Sequence, residues 1–530
     1  MGKKERYYVW ILFILMIGLL TYRLGTLNPY VNVDEAAMGY TSWCMAHGGT
    51  DRYGYSFPVY LKNFYSGQSV AYMWFLLPWV KLFGLNLWTV RLPMALAYGF
   101  TFFIWHHLLR FTDSGTQVTG TILYVISPIL IGMGRVGLDC NLMLPATIWM
   151  MDAILTAIQT EKGRYYFLSA CLCGFTLYTY ALSYLFLPVF LFIIFALLLK
   201  RKKISRKNAL IVIFTLGIMA VPAILEVYTL YIRKTDWNLG SLQFIMMNRD
   251  TGKELTYLSL KNLPRFLSCL IATDYITWNF IGDFMVSVPF GRCYFNFYLI
   301  SIPFFFFGIY KSEKEKREKT GEKEISLEEL MILYFLCGFC LFGCMGYMRT
   351  YRINFLLPVS LFFIAKGVAA FCTTKQRKMI IGFWYILEFY LFIFLVFGLC
   401  VPEKLAHNYP SISTIPFSEE LKFIEKKEEC KGKKIYVAGS DFNWIYTAFS
   451  LGGIPQKEIA WIDDTTPRQS NIYEIRNVTT QKYEEIKEDE VYIIGKGYLN
   501  SYYKDIDRDF TGFEKEEFPY YTVFWKGKEK

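Results

Sequence analysis

Apolar residues in this chain gather into long runs separated by short polar stretches. The runs lie at about 7–27, 88–109, 116–132, 143–160, 165–181, 184–199, 209–231, 294–310, 328–346, 353–371 and 379–401. A run of this length matches the hydrocarbon thickness of a bilayer, about 30 Å, so the pattern predicts eleven membrane-crossing helices. The stretch 69–84 (SVAYMWFLLPWVKLFG) is apolar but short, and Pro78 and Lys81 interrupt it, so it predicts a helix lying along the membrane surface. After residue 402 the pattern changes to short β-like runs, turn glycines and many charges. Residues 433–440 (KKIYVAGS) and 490–497 (EVYIIGKG) read as strands, and 441–453 as a helix ended by Gly452-Gly453. The expected fold is therefore an all-α polytopic membrane domain, residues 1–401, followed by a small α/β domain, residues 402–530. No internal repeat of fixed period is evident.

Composition supports the membrane reading. Of the 530 residues 54% are hydrophobic and only 19% charged, which excludes an ordinary soluble enzyme. A formal charge of +11 would suit a nucleic-acid partner, but much of it sits in short loops, where it sets topology instead. Lys3, Lys4 and Arg6 precede the first run and hold the N-terminus inside. Alternation then puts Arg110, Lys162/Arg164, 200–207, 311–324 and 375–378 on the inner side as well. The outer side receives 28–87, a loop around 133–142, the turn near 181–184, 232–293, 347–352 and everything after 402. No A-x-A cleavage site follows the first run, which is read as a retained helix. The Lys/Glu run 311–324 reads as a solvated inner loop. The chain has twelve cysteines, most of them inside apolar runs; Cys337-Gly-Phe-Cys340 matches a redox motif in letters only.

Four elements predicted on the outer side carry polar residues that solvation alone does not explain. They are Asp34-Glu35 directly after the first run, GRVGLDCNLMLP (134–145) with Arg135, Asp139 and Asn141, ATDYITWNFIGDF (272–284) with Asp274, Trp278, Asn279 and Asp283, and YMRTYRINFLLP (347–358) with Arg349, Tyr351, Arg352 and Asn354. Carboxylates and arginines converging at one membrane level suit an anionic, lipid-linked substrate. Each also has a structural alternative. Asp34 and Glu35 could cap the helix 36–48, Arg135 and Asp139 could form an i,i+4 ion pair, and Arg349 and Arg352 could anchor to headgroups. Asp274 and Asp283 suit loop or cavity-edge positions better than catalysis. His47 with the two acids leaves a zinc ligand short.

The order NVDE after the first helix, R-x-x-x-D after the third, and R-x-Y-R-x-N-x-x-x-P late in the chain resembles the GT-C glycosyltransferases. The surface stretch ending LFG (82–84), followed by Arg91-Leu92-Pro93, is similar too. Within that superfamily the chain most resembles bacterial phospholipid-carrier-dependent enzymes related to protein O-mannosyltransferases and the aminoarabinose transferase of lipid A. The resemblance covers residues 1 to about 400 and leaves the C-terminal domain outside, with no catalytic role assigned. It implies an outer-face transferase for a hexose or pentose, using a polyprenyl-phosphate sugar and inverting the sugar carbon. Asp34 would act as general base, with Asp139 and Glu35 as further catalytic carboxylates. Arg135, Asn141, Arg349, Tyr351, Arg352 and Asn354 would bind substrate. No cofactor or metal ligand is assigned, and a divalent cation is left open. The expected partners are the lipid-linked donor, the bilayer and a protein, lipid or glycan acceptor, with no nucleic acid. The competing readings are a transporter or flippase of lipid-linked glycans, which calls for ionisable residues deep in the spans, and a membrane-anchored sugar receptor.

Overall fold

A computed structural model describes residues 3–27, 30–64, 66–247, 258–273, 287–288, 291–292, 294–318, 325–346, 348–399, 415–438, 444–455, 474–479, 485–496 and 510–527. Each of the eleven predicted runs carries a helix. In chain order these are α1 (Lys3–Thr21), α4 (Leu87–Leu108), the pair α5 (Ser114–Ile126) and α6 (Pro128–Gly134), α7 (Met143–Thr160), α8 (Gly163–Leu177), α9 (Ser183–Lys200), α10 (Arg206–Tyr228), α12 (Ser301–Glu318), α13 (Leu327–Phe342), α14 (Leu357–Phe371) and α15 (Lys375–Ile393). Three more helices lie between them: α2 (Val33–Gly48), α3 (Ala71–Phe83) and α11 (Leu263–Ile271). Among the described residues six helical segments are long and apolar enough to cross a membrane, or seven if the bent α5–α6 pair counts as one. Of the rest, α8 and α13 are shorter, and α1 and α12 have charged ends. The chain is a multi-pass membrane protein. The short apolar helix α3 occupies the stretch expected to lie on the surface.

Three details depart from the sequence expectation. The run 116–132 is broken by 52° at Ser127. Pro128 lacks an amide hydrogen and forces the preceding residue out of the helical region, so Ser127 is extended. The run 294–310 becomes helical only at Ser301, because the Glu388 carboxylate of α15 accepts the Leu299 and Ile300 amides at 2.7 and 3.2 Å and starts the helix there. Its other end extends to Glu318, into the expected solvated loop, where closely spaced opposite charges such as Lys311 and Glu315 favour helix.

Helices α12 and α14 cross closely where Gly308 and Gly367 face each other; a Cβ on either would overlap the opposing backbone carbonyl. The basic end of the bundle is locked by ion pairs. Lys366 reaches Glu315 and Glu328 at 2.8 and 2.6 Å, and Arg201 grips Glu329 with two bonds.

Short antiparallel strand pairs decorate the other end: β1 (Leu61–Asn63) with β2 (Ser66–Gln68), β3 (Trp237–Leu239) with β4 (Leu242–Phe244), β5 (Ala272–Thr273) with β8 (Tyr294–Phe295), and β6 (Ser287–Val288) with β7 (Gly291–Arg292). The C-terminal region forms a six-stranded mixed sheet in the order β10 (Glu474–Ile475), β11 (Val478–Thr479), β9 (Lys434–Ala438), β12 (Glu490–Gly495), β14 (Tyr521–Trp525), β13 (Glu514–Glu517). Strands β9 and β12 and the helix Trp444–Ser450 fall where the sequence pattern puts them. Alternate residues build two faces. Ile435, Val437, Val491, Ile493, Val523 and Trp525 join the main core, while Tyr492, Ile494 and Phe524 pack with Phe510 on the reverse. The main core is thus continuous from the bundle into the C-terminal domain, through the helix Trp444–Ser450 laid against α2. The 401/402 boundary itself lies outside the described residues.

Candidate functional site

The site forms at the end of the bundle away from the basic locks, and it begins with α2. Asn32 caps this helix, its side chain accepting the Asp34 amide at 2.9 Å. Because α2 begins at Val33, Asp34 and Glu35 sit in its first turn, and the capping bond is made by their neighbour. Successive residues on a helix point about 100° apart, so the two carboxylates leave α2 in different directions.

Asp34 points toward the β1–β2 hairpin. The Asn63 amide donates to its Oδ1 at 2.7 Å, and the Gln68 amide donates to its backbone carbonyl at 3.3 Å. The next residue along, Ser69, donates its backbone amide to Asp139 Oδ2 at 2.9 Å, and Gln68 donates to the same carboxylate. The hairpin therefore holds both acids, and they lie within electrostatic reach of each other. Asp34 is half-buried while Asp139 is nearly closed off. Burial raises the Asp34 carboxyl above the usual carboxylate range, with the Asn63 hydrogen bond and the Arg52 charge opposing the rise.

Glu35 points into the protein and is fully buried. Arg91 binds both of its oxygens, at 2.8 and 3.0 Å, and the Gly137 amide adds a third bond at 2.8 Å. Gly137 has to be glycine here, since a Cβ would strike the Val90 carbonyl. Arg91 also donates to the Tyr30 carbonyl at 2.7 Å.

The residues expected to bind substrate separate in the same way. Arg135 is buried, and instead of pairing with Asp139 it donates to the Leu19, Leu20 and Tyr22 carbonyls at 2.7, 3.2 and 2.9 Å, tying off the end of α1. Asn141 donates to the Met133 and Val136 carbonyls, both at 3.0 Å, and Asn354 donates to the Cys140 carbonyl at 2.8 Å. These three side chains are occupied with backbone. Their bonds also draw the elements together, because the Asn354 contact pins the late arginine segment beside Asp139. Arg349, Tyr351 and Arg352 are half-buried in that segment, with the Arg352 guanidinium 5.8 Å from the centre of the Tyr351 ring. Arg352 acts electrostatically on Cys140 and Tyr180, which places its charge next to the Asp139 turn. The Thr350 hydroxyl bonds the Cys269 and Ala272 carbonyls and so fastens the start of the third element to the same end. Asp274, Trp278, Asn279 and Asp283 lie outside the described residues.

Sequence reasoning passed over Asn63, Gln68, Ser69 and Arg52. The signal available was two amide side chains flanking a tight turn between apolar segments. Among the described residues no three His, Cys, Asp or Glu gather as a metal-ligand group. His47 stacks on Trp43 with its Nδ1 2.9 Å from the Trp43 carbonyl.

Residues 68–225 match the model of the dolichyl-phosphate-mannose-protein mannosyltransferase family. No curated protein matches the chain. Among solved structures, ArnT from Cupriavidus metallidurans bound to undecaprenyl phosphate is similar at TM-score 0.51 and 11% identity, over 98% of this chain and 97% of that one. The same protein in the apo state gives TM-score 0.52 and 11% identity, with 98% of both chains covered. The apo oligosaccharyltransferase of Archaeoglobus fulgidus gives TM-score 0.49 at 10% identity, over 84% of this chain and 64% of that one. The fold along nearly its whole length is similar to that of ArnT, and residues 68–225 match the mannosyltransferase family model, so the chain is a multi-pass membrane protein with an ArnT-like fold.

Proposed function

We propose that this protein transfers a sugar from a polyprenyl-phosphate carrier to an acceptor hydroxyl at the outer face of the membrane, inverting the anomeric carbon. The observation that carries the reading is the pair Asp34 and Asp139, held by one hairpin at the end of the bundle opposite the basic locks. The outer location rests on the distribution of Lys and Arg over the loops. The carrier is suggested by the undecaprenyl phosphate bound to the ArnT of similar fold.

In the proposed reaction the acceptor oxygen attacks the anomeric carbon as the bond from that carbon to the phosphate oxygen breaks. The electron pair leaves with the phosphate, and the acceptor proton passes to Asp34. An alcohol needs a base as it attacks, and a carboxylate raised by burial is a better base than an exposed one. Asp139, fixed by Ser69 and Gln68, shapes the field around the developing charges. The leaving phosphate gains charge and calls for fixed cations. Arg349 and Arg352 suit that role, since Arg135 is committed to the α1 carbonyls. Glu35, Asn141 and Asn354 are assigned to holding the site's framework.

The transfer can be tested by mass analysis of envelope glycans and glycoproteins from cells with and without the gene, with complementation by the parent or by Asp34→Asn. Loss of one glycoform, restored by the parent only, is the expected result. An unchanged glycan profile on deletion would count against the reading.

A further inference from the structure

Arg52, in the loop after α2, is nearly inaccessible to solvent and has no part in the proposed reaction scheme. Its Nη2 donates to Asn63 Oδ1 at 2.7 Å and to the Tyr53 hydroxyl at 3.4 Å, and its Nη1 donates to Thr41 Oγ1 at 3.2 Å. The guanidinium lies over the rings of Tyr53, Phe64 and Trp444 at 4.9, 5.0 and 5.9 Å. Thr41 belongs to α2, two turns beyond Asp34, and Trp444 to the C-terminal domain. Arg52 is therefore braced from three parts of the fold.

The bond to Asn63 has a chemical consequence. A guanidinium only donates hydrogen bonds, so the amide facing it must present its oxygen. The amide nitrogen is then forced to the other side, where Asp34 Oδ1 receives it at 2.7 Å. Turning the amide over would set two donors against each other at Arg52 and two acceptors at Asp34. We propose that Arg52 is a positioning residue that fixes the orientation of Asn63 and thereby keeps Asp34 ionised and aimed for its role as base. This inference rests on the reading of Asp34 given above.

Without Arg52, Asn63 can present its oxygen to Asp34, and a protonated carboxyl becomes the better partner. The direct Arg52 charge is lost as well, and both changes raise the pH at which Asp34 gives up its proton. Among the described residues the other titratable groups facing Asp34 are Asp139, the Cys140 thiol and the Tyr446 hydroxyl; Glu35 follows it in sequence but turns to Arg91, and Asp51 lies beside Arg52. All of these remain when Arg52 is replaced.

The test is pH-dependent infrared difference spectroscopy on the full-length protein in nanodiscs, with Asp34→Asn subtracted to isolate the Asp34 carboxyl. Arg52→Met should raise its midpoint by about one pH unit or more. Arg52→Lys, still a pure donor, should stay near the parent, and Asn63→Leu should also move upward. A parent-like midpoint in Arg52→Met overturns the proposal. If Arg52→Met does not fold, a parent-like midpoint in Asn63→Leu overturns it instead. The titration needs no substrate, so the two ideas can fail separately. Normal transfer by Asp34→Asn removes the base but not the brace, whereas an unmoved midpoint removes the brace alone.

Discussion

Asp34 and Glu35 are neighbours in sequence, yet they belong to two different regions. On one side of α2 a half-buried carboxylate meets amides from a short hairpin, beside a second acid and an arginine-bearing segment. On the other side a sealed carboxylate is matched oxygen by oxygen to Arg91 and Gly137. The first arrangement is the one to which the proposed reaction assigns the base. The second uses its charge to hold α2, α4, the α1–α2 connection and the Gly137 turn together. In the proposed reaction an adjacent pair of acids thus divides into base and framework according to the direction each side chain leaves the helix.

The sharpest way to break this contrast is Asp34→Asn, which keeps volume and removes basicity. Turnover should fall by about two to four orders of magnitude with carrier binding little changed, measured as transfer at saturating lipid-linked donor. Arg91→Ala tests the sealed side. It leaves Glu35 buried without its cation, which should cost about 3–5 kcal/mol and show as a large drop in melting temperature in detergent. Glu35→Gln should hurt transfer less than Asp34→Asn does, and equal losses would erase the distinction.

A third carboxylate extends the series. Glu420, buried in the C-terminal domain, has Glu419 rather than an arginine as its charged neighbour, and burial lifts it from 4.5 to about 7. The folded state therefore binds this proton more tightly than the unfolded state. Stability of the domain should rise as pH falls from about 7 toward 4.5, and Glu420→Gln should flatten that slope in melting curves. On the Asp34 side, Arg352→Lys keeps the charge but loses the planar fork. Binding of undecaprenyl phosphate in nanodiscs should weaken by roughly tenfold, and parent-like binding would move the phosphate elsewhere. The smallest effect is expected from Tyr40→Phe. It removes the 2.8 Å bond from α2 to the Ile454 carbonyl and should cost about 1 kcal/mol in thermal stability.

Much of this arrangement was legible in the sequence. Run lengths predict the helices, and the loop charges predict which polar residues share an end of the bundle, so Asp34, Asp139 and the Arg349–Asn354 segment could be gathered before any coordinates. What stayed hidden was the partner of each side chain. Arg135 and Asp139 have the spacing of a helical ion pair, but Arg135 closes the chain instead as a turn, and its guanidinium falls among the carbonyls that end α1. Glu35 reads as a further catalytic carboxylate beside the base Asp34 until Arg91 is found opposite it, 56 residues away. Asn63 and Gln68 are unremarkable polar letters until the hairpin turns them toward two acids. Periodicity reports which face of an element is dry, and it carries no information about which distant donor will meet a given oxygen.

The contact between Tyr40 and Ile454 joins residues 414 positions apart. A ribosome inserting this chain releases α2 and its carboxylates early, and the segment that packs against them emerges only after the last membrane helix. The helix bearing Asp34 thus reaches its final packing at the close of synthesis. A chain cut short after α15 would place every membrane helix and still lack Trp444 over Arg52 and Ile454 against Tyr40. Premature termination would be expected to leave an inserted but inactive protein, exposing an apolar surface on α2 that membrane proteases could recognise.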